Sequence, residues 1–119
     1  FTDPEIATAG LMEHEARAQG LEIKVGKVPF AAIGRALTTN ETDGFIKVIV
    51  DAKSQRVLGV TICGPHASDL ISECVLAVEM DCEALDLGLS IHPHPTLGEG
   101  VMEAAKAAIG QAVHVLNAR

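Results

Sequence analysis

Tryptophan and tyrosine are absent from this 119-residue chain, and aromatic residues make up only 3% of it. Its core must therefore be assembled from Val, Ile, Leu and Ala. Positive charge is scarce too: nine Lys and Arg stand against sixteen Asp and Glu, a net charge of −7. A nucleic-acid footprint needs clustered Lys and Arg, so that partner class is excluded. No apolar run approaches the ~18 residues of a membrane span, and no basic-then-apolar secretory pattern opens the chain. Cysteine is sparse: Cys63, Cys74 and Cys82 are odd in number and include no C-x-x-C pair. That is neither a disulfide framework nor a zinc-ligand pattern. The expectation is buried, inert thiols in a reducing compartment, the cytoplasm or a mitochondrial matrix. An initiating Met is also missing, and the abrupt opening 1-FTDPE leads us to expect a piece of a longer protein.

Hydrophobic residues reach 48%, and the length suits a single domain of 1–119 with one core. Residues 4–10 read as a short extended lead-in to a helix over 11–19, which Gly20 closes. A strand follows at 22–30, weakened at its end by Pro29. The stretch 31–40 shows no clean period and reads as a loop with one helical turn. The clearest local signal is 45-FIKVIVD-51 and 57-VLGVTICG-64, two β-branched runs flanking a polar connection, hence a β-hairpin. Apolar residues at 70, 71, 74, 75 and 78 have helical spacing, so 67–80 is a helix, with His66 part of its cap. A short helix over 83–88 takes Asp81 as its N-cap. A long amphipathic helix runs from about 96 to 115, with an Ala-rich stripe that suits this chain's own core or a neighbouring subunit. The crossovers that parallel strands require are missing, so the fold class is α+β, helices packed on an antiparallel sheet. His14 and His114, and the acids at 11–15 and 79–86, read as solvated helix faces.

The chemistry concentrates in 91-IHPHPTLGEG-100. Three readings compete for it. Thr96-Leu-Gly-Glu99 fits a capping box, with the Thr96 hydroxyl on the Glu99 N–H and the carboxylate reaching back. A metal site could use His92, His94 and Glu99, but no further Cys or His lies at a familiar ligand spacing. An acid/base pair would join His94, just before a helix, to Glu99 about one turn inside it. The carboxylate would hold one ring nitrogen protonated, fixing the tautomer and leaving the other free to take a proton. No nucleophile or cofactor cradle accompanies the pair, so another chain or domain would have to complete the site.

The run His92-Pro-His94-Pro-Thr-Leu-Gly-Glu99 resembles the C-terminal signature of the dihydrolipoamide dehydrogenase group of FAD-dependent pyridine nucleotide–disulfide oxidoreductases. F-T-D-P-E-I-A at 1–7, V-P-F at 28–30, G-R-A at 34–36, V-L-G-V at 57–60 and G-P-H-A at 64–67 resemble the same family's dimerisation domain, in the same order. The leading His92 sets this group apart from glutathione and trypanothione reductases, which share the shorter H-P-T-x-x-E core. The resemblance implies a homodimer, with FAD and NAD bound by domains absent from this chain and none expected on this fragment. It implies His94 as acid/base and Glu99 as its orienting partner, acting in trans at the other subunit's flavin and redox disulfide. It further implies His94 backbone near the partner-subunit FAD, a cis His94–Pro95 peptide, no metal, and lipoyl domains of 2-oxo acid dehydrogenase or glycine cleavage complexes as partners. The dinucleotide-binding glycines and the C-x-x-x-x-C redox pair are missing, so the fragment alone is expected to be inactive. Ile33 also departs from the more usual polar residue before G-R-A. The other readings are a non-catalytic dimerisation module or the equivalent domain of a related flavin disulfide reductase.

Overall fold

The two β-branched runs pair as strands β3 (Phe45–Asp51) and β4 (Val57–Cys63), antiparallel, with Ile46 opposite Ile62 and Val48 opposite Val60. In the computed structural model, which describes residues 4–112, this hairpin is the centre of a four-stranded sheet. Its connection is built by Asp51, whose Oδ1 accepts the N–H groups of Lys53 at 2.8 Å and Ser54 at 2.9 Å. Strand β2 (Ile23–Pro29) pairs along β3, and strand β1 (Ile6–Gly10) along the outer side of β4. The order is β1-β4-β3-β2, every pairing antiparallel, which makes the domain α+β as its sequence implies. Pro29 ends an edge strand, where a missing N–H costs least. The lead-in at 4–10 is thus mostly strand. Its Ala- and Gly-rich sequence carries little β signal, and pairing with β4 supplies what propensity does not.

Five helices surround the sheet among the described residues: α1 (Glu13–Ala18), α2 (Gly34–Thr39), α3 (Ala67–Glu79), α4 (Ala84–Leu89) and α5 (Glu99–Ala108). The stretch 31–40 is more helical than its sequence suggests, a 3-10 turn at Phe30–Ala32 followed by α2, which Asn40 closes at φ 57°. Helix α5 is shorter than its periodicity predicts. Gly110 turns left-handed at φ 77°, and the Gln111 N–H donates back to the Lys106 carbonyl, so the chain leaves the helix although Ala112 continues the spacing. The remainder of that predicted helix, with His114, lies outside the described residues.

Asp81 is not the N-cap of α4. It sits at φ 53° and closes α3: its N–H donates to Val78 and that of Cys82 to Ala77. That double bond is the Schellman pattern, which satisfies the last helical carbonyls. Glu83 takes the cap position of α4 instead, its N–H bonded to Asp86 at 2.8 Å. His66 occupies the cap position of α3 but its side chain makes no capping bond. Glu5 does that work from before β1, accepting the Ser68 N–H and hydroxyl. These two donors lower the pKa of Glu5.

The Ala stripe of α5 serves this chain's own core. Helix α5 lies on β2 and β3, with Ala104, Ala105 and Ala108 fully buried. The approach is so close that a Cβ on Gly26 of β2 would stand 2.0 Å from the Ala104 carbonyl oxygen. Helix α3 packs on β1 and β4, and α4 against α5. One cluster joins Val28, Phe30, Ile46, Val60, Ile62, Cys74 and Val101. Cys74 is fully buried, and burial pushes its thiol up to about 12. Cys63 and Cys82 are only half-buried, so the expectation of three buried thiols holds fully for one.

Candidate functional site

The segment between α4 and α5 is held at both ends. At its start, the Ser90 hydroxyl donates to the Asp86 carbonyl in α4. His92 then turns inward, with Nδ1 2.8 Å from the Ser90 carbonyl oxygen and Nε2 3.0 Å from the Glu73 carboxylate in α3. His94 turns the other way. Its peptide bond to Pro95 is cis, and its side chain is 78% exposed. The Thr96 hydroxyl closes the bend by donating to the Pro93 carbonyl at 2.7 Å. Glu99 opens α5, where the unpaired N–H groups and helix dipole favour a carboxylate.

Glu99 makes contacts that the cap reading and the pair reading each require. Its carboxylate lies 2.9 and 3.0 Å from His94 Nδ1. The same Oε1 accepts the Thr96 N–H at 3.0 Å. The reciprocal half of the capping box does not form, because the Thr96 hydroxyl points to Pro93 rather than to the Glu99 N–H. One carboxylate therefore touches both the helix start and the His94 ring. With Nδ1 facing a carboxylate, the ring donates from that nitrogen. Among the described residues nothing bonds its Nε2, so the basic lone pair faces outward. The rings of His92 and His94 diverge, and no three His, Cys, Asp or Glu among the described residues gather as metal ligands.

Beside His94 runs an open groove of about 230 Å³ lined by Ala32, Ile33, Gly34, Leu37, Glu99 and Glu103. The departure at Ile33 is a packing residue: it is buried against Gly100 at the start of α5, where a Cβ would stand 2.4 Å from its Cδ1. Glu73 was not visible as a site residue in the sequence. Its one signal is an acid in the middle of α3, one position before the buried Cys74, whereas Asp69 and Glu79 lie near the helix ends.

Residues 1–105 match the family described as pyridine nucleotide-disulphide oxidoreductase, dimerisation domain. The dihydrolipoyl dehydrogenase of Thermus scotoductus is 56% identical over 117 residues, 98% of this chain and 25% of that protein. That of Bacillus subtilis is 49% identical over 114 residues, 96% of this chain and 24% of that protein. Among solved structures, LpdA from Mycobacterium tuberculosis superposes with a TM-score of 0.84 at 27% identity, covering 89% of this chain and 23% of its own. The HOCl-induced flavoprotein disulfide reductase RclA from Escherichia coli gives 0.82 at 31% identity, covering 87% of this chain and 24% of its own. The chain thus spans about a quarter of the length of the curated relatives it matches. Fold, signature and relatives agree: the chain belongs to the pyridine nucleotide–disulphide oxidoreductase dimerisation-domain family, of the dihydrolipoyl dehydrogenase type.

Proposed function

We propose that this domain supplies His94 as the acid/base, and Glu99 as its orienting partner, to the partner subunit's site in a homodimeric dihydrolipoamide dehydrogenase. The observation that carries this reading is the outward Nε2 of a ring whose Nδ1 is held at 2.9 Å by Glu99. A base so oriented has one tautomer and one direction of attack. Its reaction is thiol–disulfide exchange, in which a thiolate is the attacking species. An alkyl thiol with a pKa near ~8.5 is mostly protonated at neutral pH. His94 Nε2 takes the proton from one thiol of dihydrolipoamide as that sulfur attacks a disulfide; the imidazolium, with Glu99 beside it, then stabilises the thiolate released. The second lipoyl thiol, on losing its proton to solvent, attacks the lipoyl sulfur of the mixed disulfide, closing the lipoyl disulfide and expelling the second enzyme thiolate. FAD and NAD, held by other domains, supply the route by which the two electrons leave. The His94 backbone, at the bend before Pro95, faces the partner-subunit FAD. Lipoyl domains of 2-oxo acid dehydrogenase or glycine cleavage complexes bring the substrate, and three free thiols fit a cytoplasmic or matrix setting.

A second reading, a domain of another flavin disulfide reductase, is favoured by the likeness to RclA at 31% identity. The Thr96 N–H on Glu99 is what a purely structural cap would also show. His94→Gln in the full-length, FAD-loaded enzyme separates these. Dihydrolipoamide oxidation is expected to fall about 10²–10⁴-fold with FAD retained, the usual contribution of a general base. Unchanged turnover would reduce the domain to a dimerisation module.

A further inference from the structure

The acid/base reading leaves His92 unused, yet His92 is the more enclosed of the two rings, 8% exposed against 78% for His94. Among the described residues, the polar atoms that face its nitrogens are acceptors. Nδ1 meets the Ser90 carbonyl oxygen at 2.8 Å, and Nε2 meets the two Glu73 carboxylate oxygens at 3.1 and 3.0 Å. Both ring nitrogens thus lie within hydrogen-bond reach of an acceptor, one on the loop's own backbone and one on α3. The two acceptors lie on different elements, Ser90 at the end of α4 and Glu73 in the middle of α3. The ring also lies beneath Gly98, where a Cβ would stand 3.7 Å from His92 Cδ2. His94 follows one anchored residue by two positions, and Glu99 follows Gly98 by one. Helix α3 packs on β1 and β4, whereas α5 packs on β2 and β3, so the His92–Glu73 pair ties the loop to a helix other than the one that carries Glu99.

We propose that His92, gripped by Glu73, is a positioning residue: it fixes the 90–98 loop so that the His94 ring stays in register with the Glu99 carboxylate. For its kinetic consequence the inference rests on His94 being the acid/base; its structural consequence stands independently.

The test uses the full-length, FAD-loaded dimer with His92→Ala, Glu73→Ala, Glu73→Gln, His94→Gln and the His92→Ala/His94→Gln double variant. Small displacements of a catalytic group cost up to ~10²-fold, so H92A and E73A are expected to lower kcat for dihydrolipoamide roughly 10- to 100-fold. KM, and the NADH-driven reduction of an artificial electron acceptor that bypasses the thiol step, should change by less than about twofold. E73Q should restore most of the loss, because its amide still pairs with the ring. Once His94 is replaced, H92A should subtract nothing more. A crystal structure of H92A should show the His94–Glu99 contact opened. Equal loss of both activities would make the pair a mere stabiliser, and unchanged dihydrolipoamide turnover or an intact His94–Glu99 contact in H92A would overturn the proposal. If H94Q turns over normally, the acid/base reading falls, and the His94–Glu99 separation in H92A still decides the positioning role.

Discussion

Glu99 holds the His94 ring through both carboxylate oxygens, at 2.9 and 3.0 Å, while its Oε1 also accepts the Thr96 N–H at 3.0 Å. One carboxylate therefore caps a helix and holds the ring proposed as the base, and its removal should be felt in both stability and rate. Glu99→Gln keeps an acceptor for Thr96 and should leave the melting temperature nearly unchanged while lowering dihydrolipoamide turnover. Glu99→Ala should lower turnover as far and also cost about 1 kcal/mol of stability, as lost caps do. Thermal melts set beside kcat check this; a Gln variant with full turnover would detach the carboxylate charge from the chemistry.

Gly26 sets how closely α5 approaches the sheet. A Cβ there meets the Ala104 carbonyl oxygen at 2.0 Å and the Ala108 nitrogen at 2.5 Å, both backbone atoms that no rotamer change can move aside. Gly26→Ala should therefore destabilise the protein by about 3 kcal/mol, the upper part of the overpacking range. Because α5 carries Glu99, the same variant should loosen the site. A urea midpoint within error of the parent would show that α5 rides higher on the sheet than described.

How much of this was legible in the sequence depends on how local each signal is. The β3–β4 hairpin was readable because β-branched residues and a polar connection lie within twenty positions. Strand β1 was readable only as an extended lead-in, since IATAG has little propensity of its own and forms through pairing with residues about fifty or more positions away. Asp81 has the residue type of an N-cap, but its left-handed φ, invisible in a letter code, makes it the stop of α3. His94 and Glu99 are five apart, so their contact was readable; Glu73 is nineteen residues from His92, and only the tertiary fold brings the two together.

Acid should weaken the fold in a calculable direction. The pKa of Asp51 is lowered by the N–H groups of Ser54 and Lys53, that of Glu13 by Arg17 and then Lys47, and that of Glu5 by Ser68. Each group titrates lower when folded than unfolded, so its contribution is complete above the ordinary carboxylate range near ~4 and is lost as pH falls through the depressed folded values. Urea midpoints should fall as pH drops below about 4, and Asp51→Asn, which keeps the turn acceptor without its charge, should flatten that decline. A midpoint that stays level into this range would contradict the assignment.

Cys74 gives the opposite limb. Burial raises its thiol to about 12, above the ordinary thiol range near ~8.5. The folded state thus favours the protonated form. Its contribution is complete below the unfolded value and is lost as pH rises from there toward the folded one. Thiol reagents at neutral pH should label the half-buried Cys63 and Cys82 well before Cys74, as mass spectrometry of native protein would show. Early labelling of Cys74 would mean that the α3 face opens readily.

The central claim is that His94 works across the dimer. It is tested most directly in a mixed dimer, one subunit carrying His94→Gln and the other lacking its redox disulfide. If His94 acts in trans, the disulfide-bearing subunit receives an intact histidine from its partner, and one of the two sites turns over dihydrolipoamide at the full rate. If it acts within its own subunit, both sites are broken, and a mixed dimer without activity would contradict the account.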